Sequence, residues 1–331
     1  MKCAVIGAGA WGTALANLLS ENGHRTMLWA FEPDVADAIT DGHENPRFLH
    51  GIQLHEALRA TTDRAEAVHG AECVVYATPS HVLRDVASSM AAWTSPDATL
   101  VVATKGIERE RLALMTDVVT EQLPGRPVVA LSGPSFAFEV ARRQPTAIVA
   151  ASSDEQAAMR VQQACSTQSF RVYTTDDVIG VELGGALKNV MAVATGIADG
   201  LDLGLNARAA LITRGLAEMV RLGVKLGARP STFAGLAGVG DLVLTCTGAL
   251  SRNRSVGVEI GRGATLADVL SGRETVAEGV VTTESAMALA EREGVEMPIV
   301  SAVHRVLFEK QPARWALVEL MTRDLRGEED R

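Results

Sequence analysis

Lys188 and Asn189 lie in Glu182-Leu-Gly-Gly-Ala-Leu-Lys188-Asn189-Val-Met-Ala192, a stretch whose other residues after Glu182 are small or apolar. Burial disfavours an ammonium and lets a lysine exchange its proton near neutral pH, which makes Lys188 a candidate general acid. The same side chain could instead snorkel to the surface on its long stem. Of the 31 cationic residues, the lysines are Lys2, Lys105, Lys188, Lys225 and Lys310 alone. A chain this rich in arginine is expected to keep some lysines for proton transfer, which arginine cannot do. Further along, Gly238-Val-Gly240-Asp241 sets a carboxylate in a glycine-rich turn. Thr245-Cys-Thr follows, then Ser251-Arg252-Asn253-Arg254. An arginine fork flanked by short polar side chains suits a phosphate. The alternative is an ordinary polar surface loop.

A second group of residues suits a dinucleotide. The strand-like run Lys2-Cys-Ala-Val-Ile6 leads into Gly7-Ala-Gly9-Ala10-Trp11-Gly12, which opens a helical pattern. In such a turn Gly7 permits the reversal and Gly9 lets the backbone approach a pyrophosphate. Gly12 lets helix and strand pack closely, and the phosphates meet the positive helix N-terminus. Glu32 stands 20 residues beyond Gly12, at the end of a second strand pattern, with Phe31 beside it. A carboxylate there can bond the ribose hydroxyls and repels a 2′-phosphate, so NAD(H) is expected over NADP(H). Phe31 could flank the adenine. Thr104-Lys105-Gly106 and Ser132-Gly133-Pro134-Ser135-Phe136-Ala137 each follow a strand pattern, at the edge where α/β sheets bind ligands.

These residues need a scaffold with two parts. Apolar runs at Lys2–Ile6, Arg25–Phe31, Glu72–Ala77, Thr99–Ala103, Pro127–Leu131, Thr146–Ala151 and Phe170–Thr174 alternate with helical patterns such as Ala10–Asn22 and Asp154–Cys165. A further helix is expected to start near Pro79-Ser80. This alternation predicts an α/β Rossmann-type N-terminal domain with a mainly parallel sheet, residues 1–177. Residues 178–331 read as an all-α C-terminal domain. Its helices are predicted at Val178–Leu201, Arg208–Gly227, Ser255–Gly261, Leu266–Leu270, Thr283–Glu293, Pro298–Glu309 and Pro312–Arg323, with a glycine-rich loop over 235–253 and a polar tail at Arg326–Arg331.

Composition narrows the classes. The 331 residues carry a net charge of −9, which argues against nucleic acid or an anionic membrane as the main partner. The longest apolar stretches are interrupted by Gly, Lys, Asn or Arg, so no membrane span is expected, and the N-terminus lacks the pattern of a secretory signal. Cys3, Cys73, Cys165 and Cys246 form no CxxC pair and read as reduced core residues of a cytosolic protein. The seven histidines, His50 and His55 among them, form no convincing metal-ligand set, and His81 is expected to face solvent.

As a set, these residues resemble the soluble NAD(P)-dependent glycerol-3-phosphate dehydrogenases over nearly the whole chain. The resemblance includes Gly7–Ala16, His43-Glu-Asn-Pro-Arg-Phe-Leu49, Pro79-Ser80, Thr104-Lys105-Gly106, Gly133–Ala137, Glu182–Asn189, Gly240-Asp241-Leu242, Ser251-Arg252-Asn253 and Val276-Ala-Glu278-Gly279. It implies that Lys188 is the general acid/base at the C2 oxygen. It implies a glycerol phosphate site at Lys105, Gly133, Ser135, Lys188, Asn189, Asp241, Ser251, Arg252 and Asn253. Trp11, Phe31, Phe48, Lys105, Ala137, Arg252, Val276 and Glu278 would touch the dinucleotide, together with the glycine turn and Glu32. Bacterial members often carry basic residues where this chain has Phe31-Glu32, which looks more like the NAD-specific relatives. Phe48 stands where tyrosine is frequent.

Product supply to phospholipid assembly in the cytosol is implied. Many relatives are homodimers, but no stripe marks an interface here. Two other readings remain: a β-hydroxyacid dehydrogenase, whose substrates carry a carboxylate, and a non-catalytic NAD-binding redox sensor. The sensor would need Gly7–Glu32 but not Lys188, Asp241 and Arg252.

Overall fold

The computed structural model describes residues 1–271, 277–325 and 327. The chain forms two compact units, Met1–Lys105 with Ala113–Glu182, and Gly106–Leu112 with Leu183–Arg331. The segment Gly106–Leu112, expected in the first half, therefore belongs with the second.

The first unit alternates β1 (Lys2–Ile6), α1 (Ala10–Glu21), β2 (Arg25–Trp29), α2 (Pro33–Gly42), β3 (Arg59–Thr61), α3 (Arg64–Val68), β4 (Cys73–Tyr76), α4 (Leu83–Met90) and β5 (Thr99–Val102). It continues with α5 (Met115–Gln122), β6 (Val128–Ser132), α6 (Ala137–Ala141), β7 (Thr146–Ala151), α7 (Glu155–Cys165) and β8 (Phe170–Thr175). The strands make one sheet in the order β3-β2-β1-β4-β5-β6-β7-β8. Every pairing is parallel except β6 with β7.

Near-continuous apolar strands arise because both faces are covered. On β1, Cys3 and Val5 join one core while Ala4 and Ile6 join the other; on β4, Cys73 and Val75 divide from Val74 and Tyr76 in the same way. Side chains alternate across a strand, so every position needs an apolar residue. All four cysteines are free and buried, and burial pushes Cys165 and Cys246 up to about 12.

Short elements escaped the sequence reading: β3 has three residues and α3 five, too few to show a period. The second strand ends at Trp29, not Phe31, and Phe31 is exposed. After Pro79 a single 3₁₀ turn, Ser80–Val82, precedes α4.

α8 (Val178–Gly200) opens the helical half. At its start Glu182 accepts hydrogen bonds from the Thr116 N–H (2.9 Å) and hydroxyl, in the first turn of α5. Burial nevertheless pushes Glu182 up to about 7. After α8 come α9 (Gly204–Lys225), α10 (Pro230–Phe233), α11 (Asp241–Thr247), α12 (Arg252–Gly261), α13 (Leu266–Leu270), α14 (Glu278–Glu293), α15 (Pro298–Phe308) and α16 (Ala313–Met321).

The expected loop over 235–253 is largely helical: α10 leads into one π-helical turn, Leu236–Gly240, then α11, and α12 already begins at Arg252. Glycines at 235, 238 and 240 hid this pattern, because glycine disfavours an isolated helix. Gly238 is needed for packing, since a Cβ there would lie 2.1 Å from the Phe233 carbonyl oxygen. The predicted tail lies outside the described residues apart from Gly327. Among the described residues, α8 is the single unbroken helix long and apolar enough to cross a membrane, and 89% of its most apolar window is buried.

A buried carboxylate also couples this half to pH. Glu218 on α9 accepts from the N–H groups of Ile299 (2.7 Å) and Val300 (3.3 Å), at the start of α15. A negative charge suits a helix N-terminus, yet burial outweighs that and raises its pKa from 4.5 to about 7. The folded state therefore holds this proton more tightly than the unfolded chain. Its contribution to stability falls as pH rises from about 4.5 to about 7 and is constant above. Urea denaturation of wild type and Glu218→Gln across that window should show the stability difference moving by about 3 kcal/mol in favour of the variant. A difference independent of pH would refute this coupling.

Candidate active site

In the first unit, the turn after β1 has the geometry of a phosphate cradle. Gly7 has φ +112°, and a Cβ on it would lie 2.9 Å from the Ala77 carbonyl oxygen. A Cβ on Gly12 would lie 1.9 Å from the Gly7 carbonyl oxygen, which excludes any side chain. At Gly9, by contrast, nothing stands within 4 Å of a Cβ. Gly9 is also the N-cap of α1 with no side-chain cap, so no capping side chain satisfies the first-turn N–H groups. The buried Trp11 Nε1 and Thr78 Oγ1 have no hydrogen-bond partner among the described residues. Orphaned donors beside an open helix N-terminus fit a dinucleotide pyrophosphate.

The loops after β4, β5 and β6 are tied together. Thr104 Oγ1 donates to the Thr78 carbonyl (2.8 Å), and Lys105 Nζ donates to the Gly133 carbonyl (3.1 Å). Ser135 Oγ donates to the same carbonyl at 3.0 Å. Gly133 has φ +143°, and a Cβ there would meet Ile148 Cα at 2.9 Å. Ala10 and Ala137 are the first residues of α1 and α6. Glu32 caps α2 through its backbone, and its carboxylate lies 3.9 Å from Arg47 Nη1. Phe48 is half-buried. His81 is exposed.

In the second unit, Lys188 is buried and does not snorkel. Its Nζ donates to Asp241 Oδ1 at 2.6 Å and to Thr245 Oγ1 at 2.9 Å. The Thr245 hydroxyl donates in turn to the Asp241 carbonyl oxygen (2.7 Å), which leaves its lone pairs for the lysine. Asp241 is fully buried at the start of α11, not in a turn as the sequence suggested.

Close helix contacts build the rest. A Cβ on Gly196 of α8 would lie 2.2 Å from the Arg254 carbonyl oxygen, and one on Gly257 would lie 2.2 Å from the Val193 carbonyl oxygen. Each such glycine costs a helix about 1 kcal/mol relative to alanine, so its presence reflects this contact. The approach brings Asn253 Nδ2 within 2.9 Å of Asn189 Oδ1, and Asn253 Oδ1 accepts from Gly279 N–H at 2.9 Å. Ser251 Oγ caps α12 by accepting from Arg254 N–H (3.3 Å). Arg252 is the exposed first residue of α12. Glu278 opens α14, while Val276 lies outside the described residues.

Two polar residues gained no role from sequence reasoning. Asn45 is fully buried; its Nδ2 donates to the Ala8 carbonyl and Thr13 Oγ1, both at 2.8 Å, and its Oδ1 accepts from Phe48 N–H at 3.0 Å. It staples the His43–Leu49 segment to the glycine turn. Thr245 is the other. Its position, one helical turn after Asp241, was the available signal.

A doubly wound sheet with an open glycine turn, and a helical half holding a buried lysine–carboxylate pair, define a nicotinamide-dinucleotide-dependent dehydrogenase. Residues 2–158 match the model of the NAD-dependent glycerol-3-phosphate dehydrogenase N-terminus, and residues 177–318 match that of its C-terminus. A glycerol-3-phosphate dehydrogenase (NAD(P)+) of Geobacter sp. strain M21 is 56% identical over 330 residues, spanning 99% of this chain and 98% of its own. The crystal structure of glycerol-3-phosphate dehydrogenase from Coxiella burnetii aligns with TM-score 0.94 at 40% identity, covering 97% of this chain and 99% of that one. The yeast glycerol-3-phosphate dehydrogenase structure aligns with TM-score 0.82 at 28% identity, covering 96% and 98%. The chain belongs to the NAD-dependent glycerol-3-phosphate dehydrogenase family.

Proposed function

We propose that this chain catalyses the reversible reaction of dihydroxyacetone phosphate, NAD(P)H and a proton to sn-glycerol 3-phosphate and NAD(P)+. The observation that carries the reading is the Lys188 ammonium held by Asp241 Oδ1 and Thr245 Oγ1 in an apolar helix. The dihydronicotinamide, when bound, supplies the hydride.

Asp241 Oδ1 and Thr245 Oγ1 fix the orientation of the Lys188 ammonium. As negative charge develops on the carbonyl oxygen, the ammonium donates a hydrogen bond to it and then passes the proton over. Asp241 and Thr245 stay in place and hold the amine for reprotonation. In the helical half Asn189, Asn253, Ser251 and Arg252 bind the substrate, Arg252 gripping its phosphate as a fork. Gly133 and Ser135 shape the loop that holds Lys105. The first-turn N–H groups after Gly9 bind the cofactor pyrophosphate, with Gly7, Ala10, Trp11, Gly12, Phe48 and Ala137 of the first unit around it. Phe31 and Glu32 take the adenosine end, and Glu32 favours NAD(H). The enzyme works in the cytosol and supplies the glycerol backbone of phospholipids.

The test is loss of absorbance at the reduced-nicotinamide band on adding dihydroxyacetone phosphate, run with NADH and NADPH at equal concentration. Absence of turnover with either cofactor would refute the activity, and equal turnover would refute the NAD(H) preference.

A further inference from the structure

We propose that Arg47 is the residue through which this chain admits a dinucleotide bearing a 2′-phosphate, and that its pairing with Glu32 sets the balance between the two cofactors. The inference rests on the nucleotide reading of the first unit. Glu32 alone would exclude the phosphorylated cofactor by charge repulsion. Glu32 is not alone, because Arg47 Nη1 lies 3.9 Å from its Oε1. The two side chains are 36% and 27% exposed, so the pair is loose, solvated and able to exchange partners.

Arg47 is also carried to this place by a rigid link. It lies between Asn45 and Phe48, and its guanidinium carbon stands 5.2 Å from the centroid of the Phe48 ring. Phe48 N–H is held by Asn45 Oδ1, and the buried Asn45 amide grips the Ala8 carbonyl and Thr13 Oγ1 beside the glycine turn. The turn suited to the pyrophosphate and the arginine beside the ribose-reading carboxylate are thus parts of one hydrogen-bonded piece. Without a 2′-phosphate, Arg47 stays with Glu32, whose remaining lone pairs accept from the ribose hydroxyls. With one, the planar guanidinium forks onto two phosphate oxygens, offsetting the repulsion from Glu32.

The test is the dissociation constants of NADH and NADPH, read by quenching of tryptophan fluorescence on the full-length protein without substrate. Arg47→Leu should weaken NADPH relative to NADH by about 10–100-fold, the worth of a charge-assisted fork. Glu32→Gln should shift the ratio the other way by about tenfold, one charge repulsion. Arg47→Lys keeps the charge but loses the fork and should fall between wild type and Arg47→Leu, which a packing defect at Phe48 would not produce. If wild type binds both cofactors and Arg47→Leu moves the ratio less than twofold, the assignment of Arg47 is overturned alone. If wild type binds neither, the nucleotide reading fails, and this inference with it.

Discussion

Replacing Lys188 by alanine should lower kcat by about 10²–10⁴-fold, the usual worth of a positioned general acid, while the dissociation constant of NADH stays near wild type. The lysine is buried and paired with a fully buried carboxylate, so its removal has a structural cost of about 3–5 kcal/mol from the charge left behind. That cost could imitate a catalytic defect. The double variant Lys188→Met with Asp241→Asn removes both charges and should regain much of the lost stability. It should not regain turnover, because no donor remains for the carbonyl oxygen. Steady-state kinetics with thermal melts of both variants separate the two effects. Recovery of kcat along with stability would show that Lys188 only holds the fold.

Arg252→Ala should raise KM for dihydroxyacetone phosphate by about 10²-fold, as expected on removing a charge-assisted fork to phosphate. Arg252 is exposed at the first position of α12, with the half-buried Glu278 carboxylate as its electrostatic neighbour, so folding should be much less affected than by loss of Lys188. Its neighbours Ser251 and Asn253 are held by the α12 cap and by Asn189, so the remainder of the site should persist. Lysine at this position restores the charge but not the planar pair of donors and should rescue only in part. Unphosphorylated dihydroxyacetone supplies the control, since an anchored phosphate is what the wild type needs to place the ketone. Wild-type turnover of the unphosphorylated ketone at a comparable rate would remove the anchor role.

Much of the first unit was legible in the chain itself. Strands buried on both faces must be apolar at every position, and the helices between them bury one side, so the two patterns alternate visibly. The glycine turn was legible for a different reason: Gly7 and Gly12 admit no side chain in that geometry. Phe31 was read as strand because an apolar residue after Met27-Leu28-Trp29 extends the pattern, yet it lies exposed beyond the end of β2. The helical nature of 236–247 was not legible, since its glycines serve packing rather than a turn.

By itself the sequence determined the alternation of elements, the glycine turn after the first strand and the presence of a lysine in an apolar helix. These are local matters, decided by each residue's own conformational freedom and by neighbours within a turn or two. Tertiary structure decided what that lysine faces. Lys188 meets Asp241 and Thr245 across gaps of 53 and 57 residues. Whether the ammonium reached water or a carboxylate depended on how closely the helices pack, which no short-range pattern reports. The same holds for Asn45, whose partners Ala8 and Thr13 lie 37 and 32 residues before it. A buried amide gains its value only when the fold brings its acceptors within hydrogen-bonding distance.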